Sequence, residues 1–295
     1  MSAISPSLSA WYATTQWHRY GDHRVVYQHE KAGNQAPTLL IHGFPTASWD
    51  WHRIWPQLKS LGPLVAPDLL GFGYSAKPKA YPYAIQDQAQ LCLSLCQELN
   101  IQRAHILAHD YGDSVAQELL ALAPPSLAIE SVYLLNGGII PGQHRPRPIQ
   151  KLLAGPLGPL IARLMGRSQF SRSFAAVFGP GSQPDALDLQ ACWRLIEQHG
   201  GRRVMPAISQ YHKERAVHKR RWVDALANSP CPTGAYIGEL DPVSGEQMAT
   251  ALAQQCPKLQ ITRDPAIAHY PQLEAPDAVS AAYLRFRQAL PKRDV

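Results

Sequence analysis

The apolar run at residues 104–108 passes into a helical pattern at 111–123 with only His109 and Asp110 between them, and this junction constrains the fold more than any other stretch of the chain. A strand that turns straight into an amphipathic helix must bury both elements against a sheet, which is the opening half of a strand–helix–strand crossover. Further short apolar runs bounded by turn residues occur at 25–28, 38–41, 64–67, 132–135, 235–237 and 259–262, and read as strands. Between 64 and 135 the strands alternate with helical patterns at 85–99 and 111–123. The expected fold class is therefore α/β, with a mostly parallel sheet, right-handed crossovers and helices on both faces.

Beyond Ile140 the alternation stops, and until about Ser229 the chain offers helical patterns broken by Gly and Pro, at 150–165, 186–199 and 204–212. Strand and turn signals resume at 233–241. The expectation is a core made of residues 1–139 and 230–295, split in sequence by a helical cap of residues 140–229. A chain of 295 residues is long enough for one such core with an insertion. Clefts between a sheet's carboxyl edge and a covering segment favour small-molecule sites.

The formal charge of +6 invites a nucleic-acid reading, but the excess sits in Arg202-Arg203, in the run from Lys213 to Arg221 and in the Arg145/Arg147 pair. With no binding module beside it, a solvated or anion-attracting face is the preferred account, and no nucleic-acid partner is expected. Five scattered cysteines argue against a disulfide framework or a zinc cluster, and no metal or organic cofactor is expected. Cys92 and Cys96 fall on a stripe with Ile85, Ala89 and Leu99, at the spacing of one helix face, and should be buried. The stretch from Met1 to Tyr12 lacks a basic start and a long apolar run, and nowhere do about 18 apolar residues follow one another. A cytoplasmic protein with no transmembrane segment is expected.

The turn after 104–108 carries the chemistry. A nucleophile at a strand-to-helix elbow needs small neighbours, and Ala108 and Gly112 flank Asp110 two residues to either side, although Asp113 departs from the small residue usual at its place. Asp110 could instead serve only as a helix N-cap. A serine elbow could be sought in Gly112-Asp-Ser-Val-Ala116, but Ser114 would lie a full turn into the helix. Three other segments favour Asp110 as nucleophile. In Thr38-Leu-Leu-Ile-His-Gly-Phe-Pro45 a strand empties into a turn, so that the N–H groups of Phe44 and Tyr111 can form an oxyanion hole. In Tyr236-Ile-Gly-Glu-Leu-Asp-Pro242 a late strand ends near Asp241, an acid suited to orient a histidine, with Glu239 as the alternative. His269 follows the last strand signal and precedes a final helix, completing the order nucleophile, acid, base. The other eleven histidines lack this context, and most are expected at the surface.

Through His42-Gly-Phe-Pro45, Asp68-Leu-Leu-Gly-Phe-Gly-Tyr-Ser75, the Asp110 elbow, Asp241 and His269, the chain resembles the α/β-hydrolase superfamily over nearly its whole length. The Asp nucleophile and His-Gly-Phe-Pro resemble the epoxide hydrolases, with the haloalkane dehalogenases sharing that nucleophile. More narrowly, Leu135-Asn-Gly-Gly-Ile139, Val177-Phe-Gly-Pro180, Arg220-Arg-Trp-Val-Asp-Ala-Leu226 and His269-Tyr-Pro-Gln-Leu-Glu274 resemble the mesoderm-specific transcript family.

The resemblance implies an α/β-hydrolase fold with its cap inserted after the sixth strand, an Asp–His–Asp triad and a small hydrophobic substrate. A carboxylate attacking saturated carbon forms an ester of its own side chain, which water activated by a histidine then cleaves. Hydrolysis of an epoxide to a diol is the expected reaction. Tyr211 stands roughly where the family places the second of its two proton-donating cap tyrosines. Residues 143–174 contain no tyrosine to match the first, and His144 is the candidate there. Two alternatives stand beside this reading. One is haloalkane dehalogenation, against which Tyr111 and Phe44 occupy positions where dehalogenases commonly carry Trp and Asn; the other is a ligand-binding or partner-binding protein that keeps an unused triad.

Overall fold

In a computed structural model that describes residues 7–291, eight strands form one sheet. They are β1 (Gln16–Tyr20), β2 (His23–Glu30), β3 (Thr38–Ile41), β4 (Leu64–Pro67), β5 (Arg103–Ala108), β6 (Ala128–Leu134), β7 (Thr233–Gly238) and β8 (Gln260–Asp264), in the order β1-β2-β4-β3-β5-β6-β7-β8. The β1/β2 and β2/β4 pairs are antiparallel and the others parallel. Every residue of β3, β4 and β7 is buried, as befits strands covered on both faces. Alternate residues serve opposite layers: Leu39, Ile41 and Ile106 join one apolar cluster, while Leu40 and Leu107 join the other. Residues 1–6 of the amino-terminal stretch lie outside the described residues.

The helices Ile85–Glu98 and Tyr111–Leu122 cover one face, and Ile85, Ala89, Cys92 and Cys96 are buried along the inner stripe, with Leu99 packed against them. The helix Pro276–Gln288 covers the other face through Val279, Ala282, Tyr283 and Phe286. Strand β1 has no counterpart among the sequence-based strands. It is an edge strand whose only buried residue is His18, so it lacks the apolar run that marks the others.

Between β6 and β7 the chain forms the helices Pro148–Leu153, Gly158–Leu164, Arg167–Ala175, Ala186–Glu197, Met205–Ile208, Tyr211–Val217 and Lys219–Ala227. The pattern at 150–165 is thus two helices, because Pro156 has no N–H to donate and follows Gly155. The pattern at 204–212 also divides. Ser209 Oγ and the Gln210 side-chain amide bond back to the Met205 and Pro206 carbonyls, at 2.8 and 3.0 Å, and compete with a continuing backbone ladder. Helix Lys219–Ala227 returns to the core, where Arg221 and the Trp222 indole both bond to Glu118 on Tyr111–Leu122. No helix among the described residues is long and apolar enough to cross a membrane.

The histidines correct one expectation. Of the eleven besides His269 only His199 is exposed, and His18, His42, His52, His105 and His109 are buried. Several of their ring nitrogens find partners inside: His18 meets Glu98 and Ser94, His105 meets Ser131, and His42 spans the Gly43 carbonyl and the Leu69 N–H. A hydrogen-bonded imidazole is compatible with a core.

Candidate active site at the carboxyl edge of the sheet

The ends of β3, β5 and β6 are held side by side, with Ala108 opposite both Ile41 and Leu134. Leaving β5, the backbone at Asp110 adopts φ +47° and ψ −101°, a conformation that a residue with a Cβ holds only when its surroundings enforce it. Two glycines make room for this. A Cβ on Gly112 would lie 2.1 Å from the Ile41 carbonyl oxygen, and one on Gly137 would lie 2.6 Å from Asp110 Cα. Asp110 occupies the position before the helix Tyr111–Leu122, yet its side chain does not cap that helix. Its Oδ2 instead accepts a hydrogen bond from the Phe44 N–H at 3.2 Å.

Asp241, just past β7, accepts from His269 Nδ1 at 2.8 Å. The same carboxylate accepts from Ser244 Oγ at 2.5 Å, from Asn136 Nδ2 at 3.1 Å and from the Val243 N–H at 2.7 Å, so it is fully engaged as an ion. Glu239, the alternative acid, pairs with Arg263 of β8 instead. Asn136 was not singled out by its sequence, although it braces the whole arrangement. Its side chain spans Gly238 and Asp241, while its carbonyl accepts the Asp110 N–H at 3.1 Å.

With Nδ1 committed to Asp241, the other ring nitrogen of His269 is left for chemistry. Burial disfavours the imidazolium, but Asp241, its hydrogen bond and the charge of Asp110 outweigh burial and push the His269 pKa up to about 9. His109 is held neutral, chiefly by burial, and donates Nε2–H to the His269 carbonyl at 2.7 Å.

The group least visible in the sequence is Arg215. It belongs to the basic run 213–221 but is not solvated: it is 1% exposed, and its Nη2 donates to the Asp110 carbonyl at 2.7 Å and lies 3.5 Å from Asp110 Oδ1. Its Nε donates to Ser114 Oγ at 2.8 Å, which occupies the hydroxyl of the serine alternative. Burial alone would raise the Asp110 pKa; Arg215 first, then His269 and the Phe44 N–H, bring it below the ordinary carboxylate value. Asp113, whose carboxyl oxygens are buried beside Asp110 without a hydrogen-bond partner among the described residues, has its pKa pushed well up by burial and by the Asp110 charge.

Replacing Arg215 by Met is therefore expected to move the acid limb of the kcat/KM profile to higher pH, as burial regains control of Asp110. It should also cost about 3 kcal/mol of stability by stranding a buried carboxylate. An unchanged acid limb in a pH–rate profile, with denaturant unfolding as the companion measurement, would remove Arg215 from this role.

Tyr211 closes the site from the inserted helices. Its ring lies 5.1 Å from Tyr111, 6.0 Å from Phe44 and 4.6 Å from the Arg215 guanidinium. Its hydroxyl is buried with no hydrogen-bond partner among the described residues. Tyr111 OH donates to the Tyr83 carbonyl at 3.2 Å. His144 stacks on His212 at 5.7 Å, and burial followed by Arg215 lowers their pKa values to about 4 and about 3. Next to His269 and Phe44 lies a cavity of about 170 Å³, walled by Leu153, Met165, Phe170, Phe174 and Val177. A larger groove of about 510 Å³, around Trp49, Arg53 and Arg194, is lined by none of these groups.

Residues 38–282 match the alpha/beta hydrolase family. The mesoderm-specific transcript homolog protein of Bos taurus is similar at 39% identity over 296 residues, covering 96% of this chain and 88% of that protein. Among solved structures, an alpha/beta hydrolase fold protein from Burkholderia ambifaria is similar with a TM-score of 0.77 at 23% identity, covering 92% of this chain and 97% of that one. The haloalkane dehalogenase DbeA from Bradyrhizobium elkani has a TM-score of 0.78 at 21% identity, covering 94% of this chain and 98% of its own. At such identities the structural likeness speaks for the fold alone.

Proposed function

The chain belongs to the alpha/beta hydrolase family, and on that premise we propose that it hydrolyses small hydrophobic epoxides to diols through an ester on Asp110. The observation that carries this reading is a carboxylate at the strained elbow, not used as a helix cap, between the Phe44 N–H and the buried Arg215. In this reading residues 140–229 act as a cap over a cytoplasmic core of residues 1–139 and 230–295, and the apolar cavity beside His269 receives the substrate.

In the first half-reaction an Asp110 oxygen attacks an epoxide carbon, the C–O bond breaks, and the Tyr211 hydroxyl protonates the departing oxygen. An ester and a free hydroxyl result. Burial and the Asp110 charge hold the Tyr211 proton tightly in the resting state, and Arg215 opposes them. As Asp110 becomes a neutral ester, its negative charge disappears while the guanidinium over the Tyr211 ring remains. Arg215 thus serves as counter-charge to whichever of the two groups is negative. In the second half-reaction the His269 cation gives up its proton to restore the Tyr211 hydroxyl, the neutral imidazole deprotonates water, hydroxide adds to the ester carbonyl, and the N–H groups of Phe44 and Tyr111 hold the oxyanion until it collapses, the hydroxide's proton leaving on the diol and Asp110 returning to a carboxylate.

Tyr211→Phe tests the leaving-group assignment. Rapid-quench measurement of ester formation over a panel of apolar epoxides should give a rate about 100-fold lower than the parent's, the usual scale of general-acid assistance. Halide release from haloalkanes with no epoxide turnover would assign the site to dehalogenation, and no reaction with either panel would leave a binding protein.

A further inference from the structure

The helix Gly158–Leu164 is apolar on both sides. Gly158 and Ala162 are buried, and Met165, just past its end, is buried as well. Leu157, Leu160 and Leu164 recur at spacings of three and four, hence on one face, and are 61%, 54% and 71% exposed. Leu152 on the preceding helix Pro148–Leu153 is half-exposed too. Single exposed leucines need no account, but four on one helical hairpin form a patch that calls for a cover, as does a helix without a polar face.

The charge around the patch identifies the cover. From Gln143 to Pro184 the chain has no Asp or Glu, but carries Arg145, Arg147, Lys151, Arg163, Arg167 and Arg172. Lys151, Arg163 and Arg167 are exposed on the hairpin and its edge, and among the described residues none of them makes a salt bridge. Arg202 fastens the hairpin below, donating to the Arg163 and Met165 carbonyls at 3.3 and 2.8 Å. A second copy of this chain would bring the same uncompensated cations face to face, whereas an anionic bilayer offers counter-charges beside an apolar layer.

We propose that this hairpin docks on anionic lipid surfaces, with Leu152, Leu157, Leu160 and Leu164 in the acyl boundary and Lys151, Arg163 and Arg167 on the phosphates. The inward side chains of the same hairpin, Ile149 and Leu153 with Met165 just past its end, wall the cavity beside His269. Docking therefore sets the wall of that cavity against a reservoir of apolar molecules, and it stands independently of the chemistry proposed for Asp110.

Co-sedimentation of the full chain with phosphatidylcholine vesicles, with and without phosphatidylserine, tests the proposal. Binding should require phosphatidylserine and weaken in high salt. The pair Leu160→Ser and Leu164→Ser should lower the partition coefficient about tenfold or more at an unchanged melting temperature. Lys151→Gln with Arg163→Gln and Arg167→Gln should erase the preference for phosphatidylserine. Failure of the parent chain to sediment, or equal sedimentation of parent and double-Ser chain, overturns the proposal. So does a concentration-dependent dimer in analytical ultracentrifugation that the double-Ser variant loses, because the cover would then be a second copy.

Discussion

Asp110→Ala is expected to lower kcat by about 10⁴-fold or more, because nothing else at the elbow can attack saturated carbon. Ser114, the nearest serine in the sequence, is held by Arg215 at 2.8 Å. Since the Ala variant also removes the oxygen acceptors that face Arg215 and the Phe44 N–H, Asp110→Asn serves as its companion, keeping the shape and one acceptor while removing the nucleophile. A single turnover in oxygen-18 water adds a direct reading of the route. The tetrahedral intermediate holds one oxygen from water and two from Asp110, one of which leaves in the diol, so heavy oxygen should appear in the Asp110 carboxylate on the first cycle and in the diol only later. Label going straight to the diol, or turnover retained by Asp110→Ala, would sink the ester mechanism.

His269→Gln should produce the opposite phenotype: ester formation proceeds, hydrolysis slows about 10³-fold, and the intact protein gains the mass of one substrate. The electrostatics explain why the two halves separate. In the resting protein His269 is held as a cation, its pKa pushed up to about 9 by Asp241 and, more weakly, by Asp110. Alkylation erases the Asp110 charge, which lowers the His269 pKa at the moment a base is required. Gln retains a donor toward Asp241 but cannot accept a proton from water. Mass spectrometry of the variant under excess epoxide reads the result, and the lack of any adduct would favour the binding-protein alternative.

What was legible in the chain follows from local physics. Strands buried on both faces announce themselves as apolar runs, as in β3, β4 and β7, and the elbow is local because strand, turn and helix adjoin in sequence. The positions of Asp241 and His269 were readable for the same reason, each lying just past a strand signal. β1 was not, since an exposed edge strand needs no apolar pattern. The break at Gly155-Pro156 was visible as composition but not as geometry. Arg215 and Asn136 were hidden for a deeper reason. Nothing in Lys213-Glu-Arg-Ala216 separates a solvated Arg from one folded onto a carboxylate 105 residues away, and only tertiary packing decides it.

The Arg215 contact also governs how a molecule could reach the cavity. Helix Tyr211–Val217 is riveted to the core twice, by Arg215 on Asp110 and by Glu214, which accepts the Ile85 N–H at 2.9 Å. Pulling it away requires the Arg215 contacts with Asp110 and Ser114 and the Glu214 contact with Ile85 to break together. Tyr211 heads this helix, so the same contacts pin its ring beside Phe44 and Tyr111, as part of the stator rather than the door.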